Sequence, residues 1–234
     1  MTQINTSRTV SDPSMRNLPV FYINLASRPD RRGFMERQFE RLGIAAERLE
    51  ATTPATSDPD WVARAEGKLW PTEVACTLSH RAIWTLMVER GLDAALILED
   101  DMLLAPALAT LVESWDRDDI DILRFETRNR RLTLGRSITL FNGVAARQML
   151  SHEAGTGGYL ITRRLVSQII DDPRLTEFPI DKFLFGRQGP CLRRDRIFAT
   201  CPALALPGDL SPSAENAAAR SDIGPERITR SAAR

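Results

Sequence analysis

Three consecutive acids, Glu99, Asp100 and Asp101, directly follow the apolar run AALIL (94–98). Carboxylates at the end of a buried strand are costly unless a cation meets them. In open α/β sheets the carboxyl ends of the strands face the ligand crevice. Oxygen ligands placed there suit Mg²⁺ or Mn²⁺, ions that also bind substrate phosphates. The plain alternative is a solvated acidic loop. An apolar strand that runs straight into three acids favours the site.

A second cluster follows the first apolar run: Asn24 and Leu25, then Arg28, Arg31 and Arg32. A helix N-terminus flanked by arginines makes an anion site. An exposed arginine face paired with Asp30 and Glu36 explains the spacing equally well. Neither GxGxxG nor GxxxxGK[ST] occurs, so a dinucleotide fingerprint and a Walker loop are unsupported. Glu73, Ser79 and His80 fall together on a candidate helix. His80 and His152 are the only histidines, HExxH is missing, and a zinc site lacks ligands. A lone helical histidine is more often a satisfied core group than a catalyst; His152, in a polar turn, reads either way. No GxSxG elbow accompanies a serine, which argues against a hydrolase triad. Asp181 lies among Ile180, Phe183, Leu184 and Phe185, where burial can make a carboxylate a base. It also suits the N-cap of a short helix, and the two roles are compatible.

These residues need a frame of strands and helices. VFYINL (20–25) predicts a buried strand. In SRPD (27–30), Ser27 is the expected helix cap and Pro29 suits the first turn. Met35, Phe39 and Leu42 keep the helical spacing, and Gly43 ends it. Residues 52–60 read as a loop. A largely buried helix is expected after Pro71, with Thr72 as its cap, running to Gly91. AALIL is the clearest buried strand. After it come a short helix around 106–115, a strand at 121–125, and shorter strands around an Asn142-Gly143 turn. GTGGYLIT (155–162) is a Gly-rich approach to a strand. Thr162 then caps a helix to Ile170, ended by Asp171-Asp172-Pro173. Arg196 to Ala199 is the last expected strand. Residues 1–18 read as a mobile arm and 207–234 as a tail.

Composition narrows the class. The 234 residues carry 31 basic and 31 acidic side chains and are 43% apolar, ordinary usage for one domain with extensions. Zero net charge argues against holding nucleic acid through a general positive field. No apolar run approaches the roughly 18 residues of a membrane span, and the N-terminal stretch has no signal-peptide core. Cys76, Cys191 and Cys201 form no CxxC pair and read as reduced, structural thiols of a cytoplasmic protein. Lys68 and Lys182 are the only lysines; the arginine bias suits phosphate binding, although codon usage explains it more simply.

VFYINLASRPDRR, EVACTLSHRAIW, ALILEDDM, GTGGYLIT and PIDKFLF, in that order, resemble the motifs of glycosyltransferase family 25. That family includes bacterial lipooligosaccharide galactosyltransferases and is related to collagen galactosyltransferases. The resemblance spans residues 19–206. It implies an α/β fold of GT-A type, one domain with a mainly parallel central sheet flanked by helices. It also implies a nucleotide-sugar donor, most often UDP-galactose, a divalent cation (Mn²⁺ or Mg²⁺), and inversion at the sugar carbon. By the same resemblance, Glu99-Asp100-Asp101 takes the place of a DxD-like motif, with Asp101 the main metal ligand, Glu99 both a second ligand and a contact to the donor's ribose or sugar, and Asp100 beside the donor. Asn24, Leu25, Arg28 and Arg32 match the family's opening near the nucleotide. Ser79-His80 matches its Ser-His pair, whose role stays open, with Ser79 a candidate donor contact, and Asp181 matches the acid of its PxD motif. Asp181 is the candidate base, with His80 a second catalytic candidate. Ser221-Asp222-Ile223 is similar to a tail segment of some members, which would fold over the donor. RNRRLTLGR (128–136) and LRRDRIF (192–198) depart from the pattern and leave the acceptor surface open. The implied partners are a sugar nucleotide and a saccharide or glycolipid acceptor, with no nucleic acid. The implied setting is cytoplasmic, with peripheral contact at the inner membrane face. Two other readings compete: a non-catalytic sugar-nucleotide or glycan-binding module, and a sugar nucleotidyltransferase. The intact carboxylates argue against the first, and the missing glycine-rich basic loop against the second.

Overall fold

The computed structural model describes residues 18–151, 153–186 and 194–210. His152, Cys191 and Ser221-Asp222-Ile223 lie outside them.

β1 (Val20–Asn24) is buried along its whole length, and its alternate side chains enter two different cores. Val20 and Tyr22 pack with Phe34, Met35 and Phe39 of α1 (Pro29–Leu42). Phe21 and Ile23 pack with Ile83, Trp84 and Met87 of α3 (Pro71–Glu89). The two-residue period of a strand makes this division. β3 (Ala94–Glu99) repeats it, sending Leu96 and Leu98 to the α1 side and Ala95 and Ile97 to the α3 side. α4 (Ala107–Ser114) completes the first layer. α5 (Arg163–Ile169) and α6 (Ile180–Phe185) complete the second. The sheet is the middle layer between them.

That sheet also holds β2 (Ala46–Glu50), β5 (Ile122–Arg124), β6 (Leu134–Phe141), β7 (Val144–Met149), β8 (Gly158–Thr162) and β9 (Ile197–Cys201). The order is β2-β1-β3-β8-β5-β9-β7-β6. β1, β2 and β3 pair in parallel, as do β5 and β9. β8 and β7 run against their neighbours, so six of the eight strands point the same way, as the mainly parallel expectation requires. The order 2-1-3 reverses the winding at β1 and β3. The crevice outside their carboxyl ends is where such sheets bind ligands.

The helix starts differ from the expected caps. α1 follows Arg28, not Ser27: Pro29 takes the first helical position, and no side chain caps the end. Pro71 likewise opens α3, which puts Thr72 inside the helix. Glu73 Oε2 accepts the N–H of Trp70 at 2.9 Å instead. Thr162 precedes α5, but its hydroxyl donates to Asp121 Oδ1 at 3.1 Å rather than capping. The expected loop 52–60 already contains Asp58, the cap of α2 (Pro59–Ala65). Gly43, which follows α1, turns left-handed with a φ of 67°. The Asn142-Gly143 turn joins β6 to β7. The fold continues past residue 206: β10 (Ala205–Pro207) pairs with β4 (Met102–Leu104), tying Pro207 to the strand that follows the acids.

Candidate active site

Strand phase sends the three acids to different places. Asp100 continues the phase of Leu96 and Leu98 and meets α1. Its Oδ1 accepts Arg31 Nη1 at 3.0 Å, and its Oδ2 accepts Asn24 Nδ2 at 2.7 Å. Burial raises its pKa against the pull of Asn24 and Arg31. Asn24 is itself buried and also accepts Arg48 Nε at 2.9 Å. Asn24 and Asp100 therefore lock the end of β1 to the end of β3.

Glu99 continues the phase of Ala95 and Ile97 and meets α3. Its Oε1 accepts the Thr156 hydroxyl at 2.7 Å and lies 3.5 Å from His80 Nε2. Burial works to raise its pKa, but the His80 ring and the Thr156 hydroxyl outweigh burial and hold it below the ordinary range. Asp101 is different. It is buried, and no hydrogen bond or ion pair among the described residues reaches its carboxylate. Burial, reinforced by repulsion from Glu99, pushes its pKa up to about 8.

Glu99 and Asp101 border two cavities of about 290 and 190 Å³, whose walls also share Thr72 and Cys76. Ile23, Leu25, Arg31 and Pro54 line the smaller one. Ser79 fixes its rim: its hydroxyl accepts the Thr52 N–H at 2.9 Å and donates to the Ala75 carbonyl at 2.9 Å. His80, on the same wall, is fully buried, with Nδ1 2.9 Å from the Tyr159 hydroxyl. The larger cavity runs along residues 154–157 to Asp181. Asp181 is buried and accepts the N–H of Gly155 at 3.2 Å. It stands inside the first turn of α6, whose N-cap is Pro179, so the expected capping role falls away.

Arg28 and Arg32 stand apart from these walls. Arg28 pairs with Asp30 at 2.8 Å and Arg32 with Glu36 at 2.7 Å, the arrangement of an exposed arginine face. Of the three arginines, Arg31 is the one that turns inward to the acids.

Several residues at the cleft were not singled out from the sequence for the site. Arg128 and Arg130 line the larger cavity, where the sequence offered only an unassigned basic stretch. Thr156 holds Glu99. Glu126 lines the same cavity, fully buried beside Arg124, and burial, against the pull of Arg124, raises its pKa to about 7. Its signal was present: DILRFE repeats the pattern of an apolar strand that ends in an acid. Gly155 has a φ of 112°, and a Cβ there would come 2.8 Å from Glu126 Oε1, so glycine lets the loop lie against the acids.

The architecture defines a class: an α/β domain with an acid-lined crevice at the carboxyl ends of its parallel strands. The chain belongs to glycosyltransferase family 25 (LPS biosynthesis protein), whose model matches residues 17–184. It is 27% identical over 186 residues to the lacto-N-neotetraose biosynthesis glycosyltransferase LgtB of Neisseria gonorrhoeae, covering 70% of this chain and 65% of that one. It is 29% identical over 162 residues to the lipooligosaccharide biosynthesis protein lic2B of Haemophilus influenzae, covering 64% and 61%. It is 27% identical over 183 residues to procollagen galactosyltransferase 1-A of Xenopus laevis, covering 70% of this chain and 30% of that one. The chain thus spans less than two thirds of the length of each of these relatives. A solved glycosyltransferase involved in glycosylation of the major capsid of PBCV-1 aligns with a TM-score of 0.45 at 12% identity, over 78% of this chain and 80% of that one. Among the described residues, no helix is long and apolar enough to cross a membrane.

Proposed function

We propose that the chain is a metal-dependent, inverting glycosyltransferase of GT-A type. It moves a hexose, in the first instance galactose from UDP-galactose, to a hydroxyl of a saccharide or glycolipid acceptor in surface-glycan biosynthesis. One observation carries the reading: Asp101, a buried carboxylate that no hydrogen bond or ion pair among the described residues reaches, borders the same cleft as Glu99 and Asp181. Family membership and the galactosyltransferase among the relatives support the donor class.

The carboxylate pair Glu99 and Asp101 suits Mg²⁺ or Mn²⁺, since a cation displaces the proton that burial keeps on Asp101. Glu99 and Asp101 would hold such an ion, which would supply positive charge against the charge developing on the leaving nucleoside diphosphate. Ile23, Leu25 and Pro54 offer the nucleobase an apolar wall. Arg31, fixed on Asp100, borders that cavity, and Arg128 and Arg130 border the other, so positive charge flanks the acids on both sides. Arg28, just before α1, and Arg32, within it, lie outside both cavities and would act on the donor's phosphates only at a distance. His80 keeps Glu99 charged. Asp181 takes the acceptor hydroxyl's proton as its oxygen attacks the sugar carbon opposite the departing diphosphate. The bond from sugar to phosphate oxygen breaks, and the configuration inverts. The setting proposed is cytoplasmic, with peripheral contact at the inner membrane face where a glycolipid acceptor lies.

Thermal-shift measurements with UDP-, GDP- and CMP-sugars, each with and without Mn²⁺, test the donor. A ligand that binds only the native state raises its stability. UDP-galactose should shift the transition, and only with the cation present. Equal silence from all three sugar nucleotides would sink the reading, and release of pyrophosphate in place of UDP would point to a nucleotidyltransferase.

A further inference from the structure

Cys76, His80 and Glu99 converge beside the acid motif, in a place that the sequence alone does not show. The Cys76 sulfur, a His80 ring nitrogen and a Glu99 carboxylate oxygen lie within 4.8 Å of one another. His80 Nε2 and Glu99 Oε1 are 3.5 Å apart. Two ligands of one tetrahedral zinc, each about 2.0–2.3 Å from the metal, stand roughly 3.3–3.7 Å apart. That pair is already at ligand spacing, and the thiol closes the set with a side-chain movement of about 1 Å on the same geometry.

The histidine is built for the role. It is fully buried, and among the described residues its Nε2 makes no regular hydrogen bond, a costly state for an imidazole nitrogen; what it faces is Glu99 Oε1 at 3.5 Å. Its Nδ1 is held at 2.9 Å by the Tyr159 hydroxyl, the kind of outer bond that orients a ligating ring. Cys76 and His80 lie one helical turn apart on the same face of α3. Cys76 borders both cavities and His80 the smaller, so a fourth position opens into the cleft. Thiolate, imidazole and carboxylate together suit a borderline-soft cation, unlike the all-oxygen pair of Glu99 and Asp101.

We propose that Cys76, His80 and Glu99 form a binding site for a borderline-soft divalent cation, Zn²⁺ foremost, with an open fourth position facing the cleft. Binding releases the thiol proton to solvent. Glu99 belongs both to this site and to the pair with Asp101, so Zn²⁺ competes there with Mn²⁺ for one carboxylate.

The test uses the full chain stripped with chelator and titrated with Co²⁺ alone, a visible substitute for Zn²⁺. A thiolate-to-cobalt charge-transfer band should appear, and Zn²⁺ should remove it by displacement. The band should vanish in Cys76→Ser and persist in Cys201→Ser, Cys191→Ser and Asp101→Asn. Zn²⁺ affinity measured by calorimetry should fall in Cys76→Ser by at least the roughly 10–100-fold that losing an outer partner costs. Wild-type protein supplies a check that needs no variant: Zn²⁺ should slow alkylation of Cys76 and leave exposed Cys201 unaffected, as read by mass spectrometry. Co²⁺ binding without a thiolate band overturns the proposal, as does a band that survives Cys76→Ser or vanishes in Asp101→Asn. Alkylation of Cys76 that ignores Zn²⁺ overturns it too. None of these readouts depends on sugar transfer, so the failure of that activity is told apart from the failure of this site.

Discussion

Arg31 Nη1 lies 3.0 Å from Asp100 Oδ1, and both side chains are more than nine-tenths buried. This ion pair fastens α1 to the turn that carries Asp101. Removing one partner of a buried pair leaves an uncompensated charge and typically costs about 3–5 kcal/mol. Arg31→Ala should therefore lower the unfolding free energy by about that amount in urea. A loss below about 1 kcal/mol, the range of a surface pair, would show that the bond does not hold the turn.

Glu126 gives the metal-free protein a pH dependence. Burial beside Arg124 raises its pKa from 4.5 to about 7, so the folded chain keeps a proton that the unfolded chain releases between those values. The group's contribution to stability is complete below about pH 4.5 and is lost as pH rises through about 7. Glu126→Gln cannot titrate. The melting temperature of wild type relative to this variant should fall between about pH 5 and pH 8. A difference that stays constant across that range would contradict the assignment.

Asp181→Asn should retain the fold and donor binding while transfer falls by about 10²–10⁴-fold, the usual contribution of a general base. Its carboxylate accepts Gly155 N–H on Oδ2 and Lys182 N–H on Oδ1, and the amide oxygen of asparagine keeps one of these two bonds. Calorimetry with UDP-galactose and Mn²⁺, run beside a transfer assay, separates the steps. Lost donor binding in a folded variant would move Asp181 to the donor side.

Much of this was legible in the sequence, for reasons that particular residues make plain. AALIL and VFYI (20–23) form unbroken hydrophobic runs because both faces of those strands are covered by helices. The acids after AALIL therefore stood out at a strand end. Their separate roles did not, because the division of Glu99 from Asp100 follows from which helix covers which sheet face. β2, AERLE, is an edge strand without a fully buried residue, so its pattern showed nothing. β4 and β10 each have three residues and exist through pairing across the chain. Arg31 could have been chosen over Arg28 and Arg32. It falls in one stripe with Phe34, Met35 and Gln38, at the spacing of a helix face turned to the core. The thiol and carboxylate near His80 were out of reach as a set, because only the packing of β3 against α3 brings Glu99 there.

The central claim is that Asp101 supports metal-dependent sugar transfer. It is tested most directly by measuring UDP release and product formation from UDP-galactose, Mn²⁺ and a saccharide acceptor, for wild type and for Asp101→Asn. The variant should melt no lower than wild type, since amidation removes a carboxyl whose pKa burial pushes up to about 8. Its Mn²⁺-dependent turnover should be lost. A folded Asp101→Asn variant that turned over a verified donor at the wild-type rate would contradict the account.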